Sequence, residues 1–309
     1  MMAGSKTVRL VRRIVVGVIL VGILAFVVFV ALLSQSFDQI GEAGALGGDD
    51  SGVTTVSWTP DGRHIVFERG ENEGSALYRV DADGSDPERL TPDGGDAYDP
   101  AVSPDGKQIA YTQGTDLYAM GADGSDSKSL THGDLEERDP AWSPDGREIA
   151  FVRGYDPELE DSELYVMRAN GTQLRRLTHG NDIEREPAWS PNGAWIAYEA
   201  FPNAYVVPAH GPGKRRFVTE ALESPVWSPD GRRLAVVENQ TMIKIVDLRT
   251  QSVQRFAVTD DQLGSNDVQT APTDLAWSPD GHRLAYALDG SLYTLRLSTG
   301  ATRRLTDAT

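Results

Sequence analysis

One phrase of this sequence recurs six times, and it restricts the fold more than any other feature. A bulky residue ends an apolar run, a Ser-Pro-Asp-Gly-like turn follows, and a second run reads Ile or Leu, then Ala or Val, then usually an aromatic residue. The copies are SWTPDGRHIVF (57–67), AVSPDGKQIAY (101–111), AWSPDGREIAF (141–151), AWSPNGAWIAY (188–198), VWSPDGRRLAV (226–236) and AWSPDGHRLAY (276–286). Self-similarity at a spacing of roughly 40–50 residues indicates a repeat architecture.

A second phrase follows each copy of the first. It pairs Leu-Tyr-x-hydrophobic with a later Arg-Leu-Thr, as in ALYRVDADGSDPERLT (76–91) and ELYVMRANGTQLRRLT (163–178). Each repeat therefore contains four short runs that are rich in β-branched and aromatic residues, which is typical of strands. Proline presets φ and glycine accepts positive φ, so Ser-Pro-Asp-Gly predicts a tight turn between the first two runs. Asp83-Gly84, Asp123-Gly124 and Asn170-Gly171 predict the hairpins between the third and fourth.

Four antiparallel strands repeated six times predict an all-β fold, a six-bladed β-propeller that covers residues 53–306. A single blade would leave apolar surface on both faces, and stacking blades around an axis buries it. The second run is apolar without alternation, as expected for a sheet packed on both sides. An open β-solenoid or two stacked sandwiches are the alternatives, but solenoid coils are usually shorter and lack this four-strand pattern.

With these phrases the chain resembles the WD40-like Pro-Asp repeat of TolB-type β-propellers. The same repeat type occurs in the propellers of prolyl-oligopeptidase relatives. The resemblance covers residues 53–306 and implies a propeller, but it implies little about function, because one fold hosts many functions. The sequence contains no G-x-S-x-G nucleophile elbow, so nothing in it matches an α/β-hydrolase.

The first 52 residues differ from the repeats. Residues 1–13 form a basic tail, and residues 14–33 are an apolar run without charge, long enough for a helix that spans the roughly 30 Å hydrocarbon core. The positive-inside rule places the N-terminus in the cytoplasm and the propeller outside, in the periplasm or at the cell surface. We therefore predict a transmembrane signal anchor, with a cleaved signal peptide as the alternative, and a flexible linker over 34–52.

Charge and composition restrict the classes of partner and site that the chain can have. The net charge of −17 argues against nucleic acid, whose phosphates need a basic face. Cysteine is absent, which removes disulfides and thiolate metal sites. No cofactor is predicted.

A candidate site emerges only when the repeats are aligned. The first strand of each blade should line the central channel, and the residue three positions before the bulky slot lies near its start. That position holds Thr55, Asp99, Asp139, Glu186, Ser224 and Asp274. The four carboxylates should ring one mouth of the channel and attract a cation or a basic peptide. The alternative is that each acid accepts backbone N–H bonds or pairs with a neighbour such as Arg138 or Arg185.

Two histidines, His132 and His179, occupy the same Leu-Thr-His-Gly slot in consecutive repeats. They are the only candidates for a metal site, and no metal is assigned to them, because histidines in exposed loops are usually solvated. The function that we predict is a non-enzymatic module that binds a protein or peptide, a basic one if the acids act, or a cell-envelope component. The alternatives are a hydrolase or lyase acting on polysaccharide or peptide through the mouth carboxylates and histidines, and a structural spacer or sensor.

Overall fold

The computed structural model describes a chain of short strands joined by turns. The described residues are 14–15, 53–71, 74–81, 85–156, 161–180, 182–200, 202–211, 213–221, 225–239, 241–258, 272–278, 280–288 and 291–304. The predicted hairpin at Asp83-Gly84 and nearly all of the predicted membrane segment and linker lie outside them. Among the described residues, no helix is long and apolar enough to cross a membrane.

The strands form six antiparallel four-stranded sheets, one for each repeat. The first three sheets consist of β2 (Val53–Trp58), β3 (His64–Glu71), β4 (Gly74–Asp81) and β5 (Glu88–Arg89); β6 (Ala97–Val102), β7 (Gln108–Gln113), β8 (Asp116–Gly121) and β9 (Lys128–Ser129); and β10 (Glu137–Trp142), β11 (Glu148–Asp156), β12 (Asp161–Arg168) and β13 (Arg175–Arg176). In addition, the two-residue strand β1 (Ile14–Val15), from the start of the predicted membrane segment, pairs in parallel with β2.

The last three sheets repeat this order. They consist of β14 (Glu184–Trp189), β15 (Trp195–Ala200), β16 (Asn203–Pro208) and β17 (Arg216–Glu220); β18 (Val226–Trp227), β19 (Arg233–Asn239), β20 (Met242–Asp247) and β21 (Val253–Ala257); and β22 (Thr273–Trp277), β23 (Arg283–Leu288), β24 (Ser291–Arg296) and β25 (Ala301–Arg304). The first strands of consecutive sheets contact one another from β2 through β6, β10, β14 and β18 to β22. The first strands are therefore innermost, as in the six-bladed propeller that the repeats predict.

The Ser-Pro-Asp-Gly turn is held together by its own atoms. In the second sheet, the Ser103 hydroxyl donates to Oδ1 of Asp105 at 2.7 Å and accepts the N–H of Gln108 at 3.0 Å. Gly106 adopts a φ of 70° and donates its N–H to the Ser103 carbonyl. The hydroxyl-to-acid bond recurs in all six sheets, with Asn192 in place of the acid in the fourth. The turn prediction is confirmed, and these acids have a structural role.

The core lies between sheets rather than within one. Its buried clusters each join two consecutive sheets, from the first and second to the fifth and sixth. The indole of Trp142 donates to the Ala101 carbonyl of the preceding sheet at 3.0 Å, and Trp189, Trp227 and Trp277 repeat this bond. The tryptophan slot therefore fixes the contact between neighbouring blades by packing and by a directional bond.

One sheet departs from the repeat inside its core. In the other five, the second-strand aromatic residue packs on the third-strand tyrosine with ring centroids 5.4–6.0 Å apart. In the fifth sheet these positions hold Val236 and Lys244, which are both buried. The Lys244 ammonium lies 2.5 Å from Oε1 of Glu238 and donates to the Thr219 hydroxyl of the fourth sheet at 2.7 Å. An ion pair between the buried Lys244 and the half-buried Glu238 thus replaces an aromatic contact there.

Candidate functional site at the channel mouth

A bulge interrupts the innermost strand of the second, third and fourth sheets at the same place. Asp99-Pro100, Asp139-Pro140 and Glu186-Pro187 are each two residues that lie opposite one residue of the second strand, so each bulge adds one residue to the first strand. Proline has no N–H to donate, so it is tolerated in a strand where the ladder is interrupted. The bulge turns the acid that precedes the proline out of the regular strand alternation.

The three acids share an unusual backbone conformation. Asp99, Asp139 and Glu186 have φ values of 53°, 59° and 52°. Positive φ is unfavourable for a residue with a side chain, and a following proline restricts the backbone further. Such strain persists where the surrounding structure fixes it, and it is concentrated at functional sites.

Bonds between neighbouring sheets hold the acids in place. Oδ2 of Asp99 accepts the N–H of Asp139 at 3.3 Å, and Oδ2 of Asp139 accepts the N–H of Glu186 at 3.0 Å. Asp99 and Asp139 are therefore each oriented by a backbone donor on the next innermost strand. Backbone contacts of this kind were the alternative role that the sequence left open for these acids.

The structure brings three of the four predicted ring acids together. Asp99, Asp139 and Glu186 are half-buried on adjacent innermost strands, while the side chain of Asp274 lies outside the described ones. In the first sheet the same position holds Thr55, whose hydroxyl donates to Glu68 at 2.5 Å. The described acids thus occupy one arc of the channel, and a role for them in binding stays a prediction.

The two predicted arginines precede ring acids on the same strands. The Arg138 guanidinium lies 5.4 Å from the centre of the Tyr98 ring and donates from Nε to Glu136 at 2.7 Å. Arg185 is opposite Glu199 in the ladder between β14 and β15. Both are half-buried, so the arc contains guanidinium groups beside its carboxylates.

The two histidines lie in exposed loops after the fourth strands of their sheets. Nδ1 of His132 is 3.2 Å from the Ser129 hydroxyl, and His179 is exposed. Across the described ranges, no three His, Asp or Glu side chains are placed to hold a metal ion.

Sequence reasoning missed two buried carboxyl groups behind the ring. Glu137 and Glu184 begin β10 and β14, two residues before Asp139 and Glu186, and each is 1% exposed. Burial raises the pKa of Glu137, against the opposing effect of a hydrogen bond from Thr131 and the charge of Arg153. The only sequence signal was that the two sheets share similar motifs, Glu-Arg-Asp-Pro and Glu-Arg-Glu-Pro. Such a motif does not show that its first residue is buried.

Comparison with known proteins adds a family and a fold. The family model described as the TolB beta propeller domain matches residues 42–154 and 138–263, more than half of the chain. The structure of TolB from Acinetobacter baumannii is similar at a TM-score of 0.55 and 21% identity, over 79% of this chain and 63% of that one.

Other solved structures share the fold at lower identity. An oligogalacturonate lyase in complex with manganese matches with a TM-score of 0.62 and 16% identity, over 80% of this chain and 74% of that one. An oligogalacturonate lyase from Vibrio parahaemolyticus matches with a TM-score of 0.62 and 15% identity, over 80% and 75%. At these identities the likeness concerns the fold alone.

Proposed function

Because this chain belongs to the TolB β-propeller domain family, we propose that it is a binding module that an N-terminal helix anchors outside the cytoplasm. Its partner is a protein, a peptide or a cell-envelope component, which it binds at the mouth of the propeller channel. The observation that carries the proposal is the row of three acids at positive φ, Asp99, Asp139 and Glu186.

The geometry of the arc supports a cationic partner. The carboxylates of Asp99 and Asp139 are held by backbone N–H groups of the next sheet, so little of their side-chain entropy is lost when a ligand binds them. A cleft lined with one sign of charge focuses the field and raises the local concentration of the opposite charge. The net charge of −17 also attracts cationic partners over longer distances. A Lys- or Arg-rich segment of a partner has the complementary chemistry.

The sequence of the N-terminal region supports anchoring. The apolar run 14–33 follows four basic residues and precedes an acidic stretch, which predicts a cytoplasmic N-terminus. A glycine-rich linker over 34–52 separates this run from the first sheet and gives the propeller freedom to reach a partner.

The test compares two variants of the full-length chain that lose the same charge. The mouth variant carries Asp99→Asn, Asp139→Asn, Glu186→Gln and Asp274→Asn, and the amide oxygens still accept the neighbouring N–H groups. The control carries Asp105→Asn, Asp145→Asn, Asp230→Asn and Asp280→Asn in the turns, where Asn192 already serves in the fourth sheet. Each protein is cross-linked in membranes of the cells that produce it. In a second experiment, each purified protein is titrated with a lysine-rich and a glutamate-rich peptide.

The mouth variant should lose both its cross-linked partner and most of its affinity for the lysine-rich peptide, while the control keeps both. Because an ion pair at an exposed site contributes about 0.2–1 kcal/mol, the four substitutions together should weaken binding by about fourfold to about a thousandfold. Equal binding by all three proteins would overturn the proposal. Equal loss in both variants would overturn it too, because the effect would then come from net charge and not from the mouth.

The enzymatic alternative stays a prediction. A lyase or hydrolase would have to use the mouth carboxylates or the exposed histidines, and the likeness to the oligogalacturonate lyases concerns the fold. Incubation of the full-length chain with acidic oligosaccharides and with peptides, followed by product analysis, tests this alternative directly.

A further inference from the structure

One hydroxyl group in the interface between the third and fourth sheets lies between two carboxyl groups. Oγ1 of Thr178 is 2.8 Å from Oε2 of Glu163 and 2.5 Å from Oε2 of Glu184. The same oxygen accepts the N–H of Leu164 at 2.8 Å. A hydroxyl has one proton and can donate it fully to one partner only. The second short contact therefore requires a proton on one of the carboxyl groups.

The surroundings show which carboxyl group holds this proton. Oε1 of Glu163 accepts bonds from the Arg176 guanidinium and, at 2.8 Å, from the Gly180 N–H. Glu184 is 1% exposed, and the nearest cation, Nη1 of Arg215, is 3.8 Å from its Oε1. That nitrogen donates to Asp182 at 2.5 Å. Oε2 of Glu184 accepts the N–H of Leu164 at 2.8 Å, but Glu184, unlike Glu163, has no arginine at hydrogen-bond distance among the described residues.

The charged and titratable groups around Glu184 come from several elements. Glu163 lies on β12, Arg176 on β13, Tyr198 on β15, and Asp182 and Arg215 on the segments before β14 and β17. Burial and, to a smaller extent, the nearby charge of Glu163 raise the pKa of Glu184 to about 8, while the bonds from Thr178 and Leu164 and the charge of Arg215 oppose them only in part. Two carboxyl groups that interact this closely titrate as a pair.

We propose that Glu163, Thr178 and Glu184 hold one shared proton at neutral pH, and that its loss weakens the contact between the third and fourth sheets. With the proton in place, Glu184 donates to Thr178 and Thr178 donates to Glu163, so every short contact has a donor and an acceptor. Without it, two buried negative charges on neighbouring sheets repel each other across one hydroxyl group. The contact between the third and fourth sheets is then weaker at mildly alkaline pH.

The preceding interface offers a matched control. There, Thr131 donates to Glu137, Nε of Arg153 is 3.3 Å from the other oxygen of Glu137, and Asp116 stands in the position of Glu163. Within the described part of the chain, the Thr131 hydroxyl bonds to this one carboxyl group and to the Leu117 N–H, so its one proton suffices. Glu137→Gln makes the same chemical change at the same place in the repeat as Glu184→Gln.

The experiment measures urea unfolding of the full-length wild type, Glu184→Gln and Glu137→Gln from mildly acidic to alkaline pH. The side-chain amide that Glu184→Gln introduces can donate to Thr178 as the protonated acid does, without titrating. The unfolding equilibrium constant of the wild type relative to Glu184→Gln should rise about tenfold per pH unit between the ordinary value of 4.5 and about 8. Glu137→Gln should retain this steep rise relative to Glu184→Gln. Parallel profiles for the wild type and Glu184→Gln would overturn the proposal.

A second variant covers the case in which Glu184→Gln does not fold. Glu163→Gln removes the neighbouring negative charge, so Glu184 should lose its proton at lower pH, and the steep rise of the unfolding equilibrium constant with pH should end at a lower pH than in the wild type. Hydrogen exchange at each pH should show β12 and β14 losing protection before β8 and β10. A profile for Glu163→Gln that coincides with that of the wild type, or uniform loss of protection, would overturn the proposal.

Discussion

The backbone N–H of Glu186 donates a 3.0 Å hydrogen bond to Oδ2 of Asp139 on the neighbouring sheet. The donor belongs to the residue that occupies the same position one repeat later, so each acid both orients its successor and is a candidate ligand contact. This double use means that removing an acid changes stability as well as binding. Substitutions at the mouth must therefore separate charge from hydrogen bonding.

Substitutions of Asp139 separate the effect of its charge from the effect of its hydrogen bond. Asp139→Asn keeps an oxygen acceptor for Glu186 and a residue type that tolerates positive φ, so the free energy of unfolding should change by less than about 0.5 kcal/mol. Asp139→Ala leaves the N–H without its acceptor and places alanine at positive φ, which should cost about 2–3 kcal/mol. Urea unfolding checks both values. Asp139→Gly relieves the strain and should fall between them, whereas an alanine variant as stable as the asparagine variant would contradict the inter-sheet bond.

The turn aspartates predict a second pair of outcomes. Asp105 accepts bonds from the Ser103 hydroxyl and the Lys107 N–H, so Asp105→Ala should cost about 1 kcal/mol. Asp105→Asn should cost much less, because Asn192 makes the equivalent bonds in the fourth sheet. Thermal or urea unfolding of the two variants gives the comparison, and equal costs would show that the side-chain acceptor is not what stabilises the turn.

The same aspartates make the free energy of unfolding depend on pH in the acid range. Bonds from the Thr59, Ser103 and Ser143 hydroxyls lower the pKa of Asp61, Asp105 and Asp145 below 3.8. A depressed folded-state pKa contributes stability that is present above the unfolded-state value and is lost as the pH falls through the folded-state value. The free energy of unfolding should therefore fall below about pH 4, and a variant with asparagine at all three positions should lose less. A variant profile that parallels the wild-type profile would contradict this assignment.

The tryptophan contact between blades can be tested with a single substitution. Trp142→Phe removes the donor to the buried Ala101 carbonyl and should cost about 1–3 kcal/mol in the free energy of unfolding. Trp195→Phe is the matched control, because that half-buried indole packs beneath Arg216 at 5.5 Å and lies on the second strand, outside the tryptophan slot. It should cost less than about 1 kcal/mol. Similar costs for the two variants would argue against the bond to Ala101.

The absence of native cysteine makes the membrane orientation directly measurable. A cysteine placed at Ser5 should be protected from a membrane-impermeant maleimide in intact cells, with the outer envelope opened where there is one. A cysteine placed at the exposed Gln254 should be labelled there. After permeabilisation both should react. Labelling of the Gln254 position only after permeabilisation would reverse the predicted orientation.

The sequence by itself determined the repeating strands and turns. The residues of Ser-Pro-Asp-Gly satisfy one another within a few positions, as Ser103 and Asp105 do, so the turn is a local property that a sequence displays. Six copies of it, each followed by apolar runs, leave few ways to bury the sheets other than around an axis. The alignment of the copies also singled out Asp99, Asp139 and Glu186, because the repeat gives equivalent residues equivalent places.

Only the tertiary structure decided what those residues touch. The bond from Glu186 to Asp139 and the shared contacts of Glu163, Thr178 and Glu184 join different strands and, in both cases, different sheets. Their geometry depends on how far one blade is shifted against the next, which the packing of side chains such as Trp189 sets and no local pattern encodes. Burial of Glu184 likewise comes from its neighbours and not from its own sequence context. Identical residues in successive repeats thus predict equivalent positions, while the surroundings of each position depend on the particular neighbours that the packing of the sheets brings there.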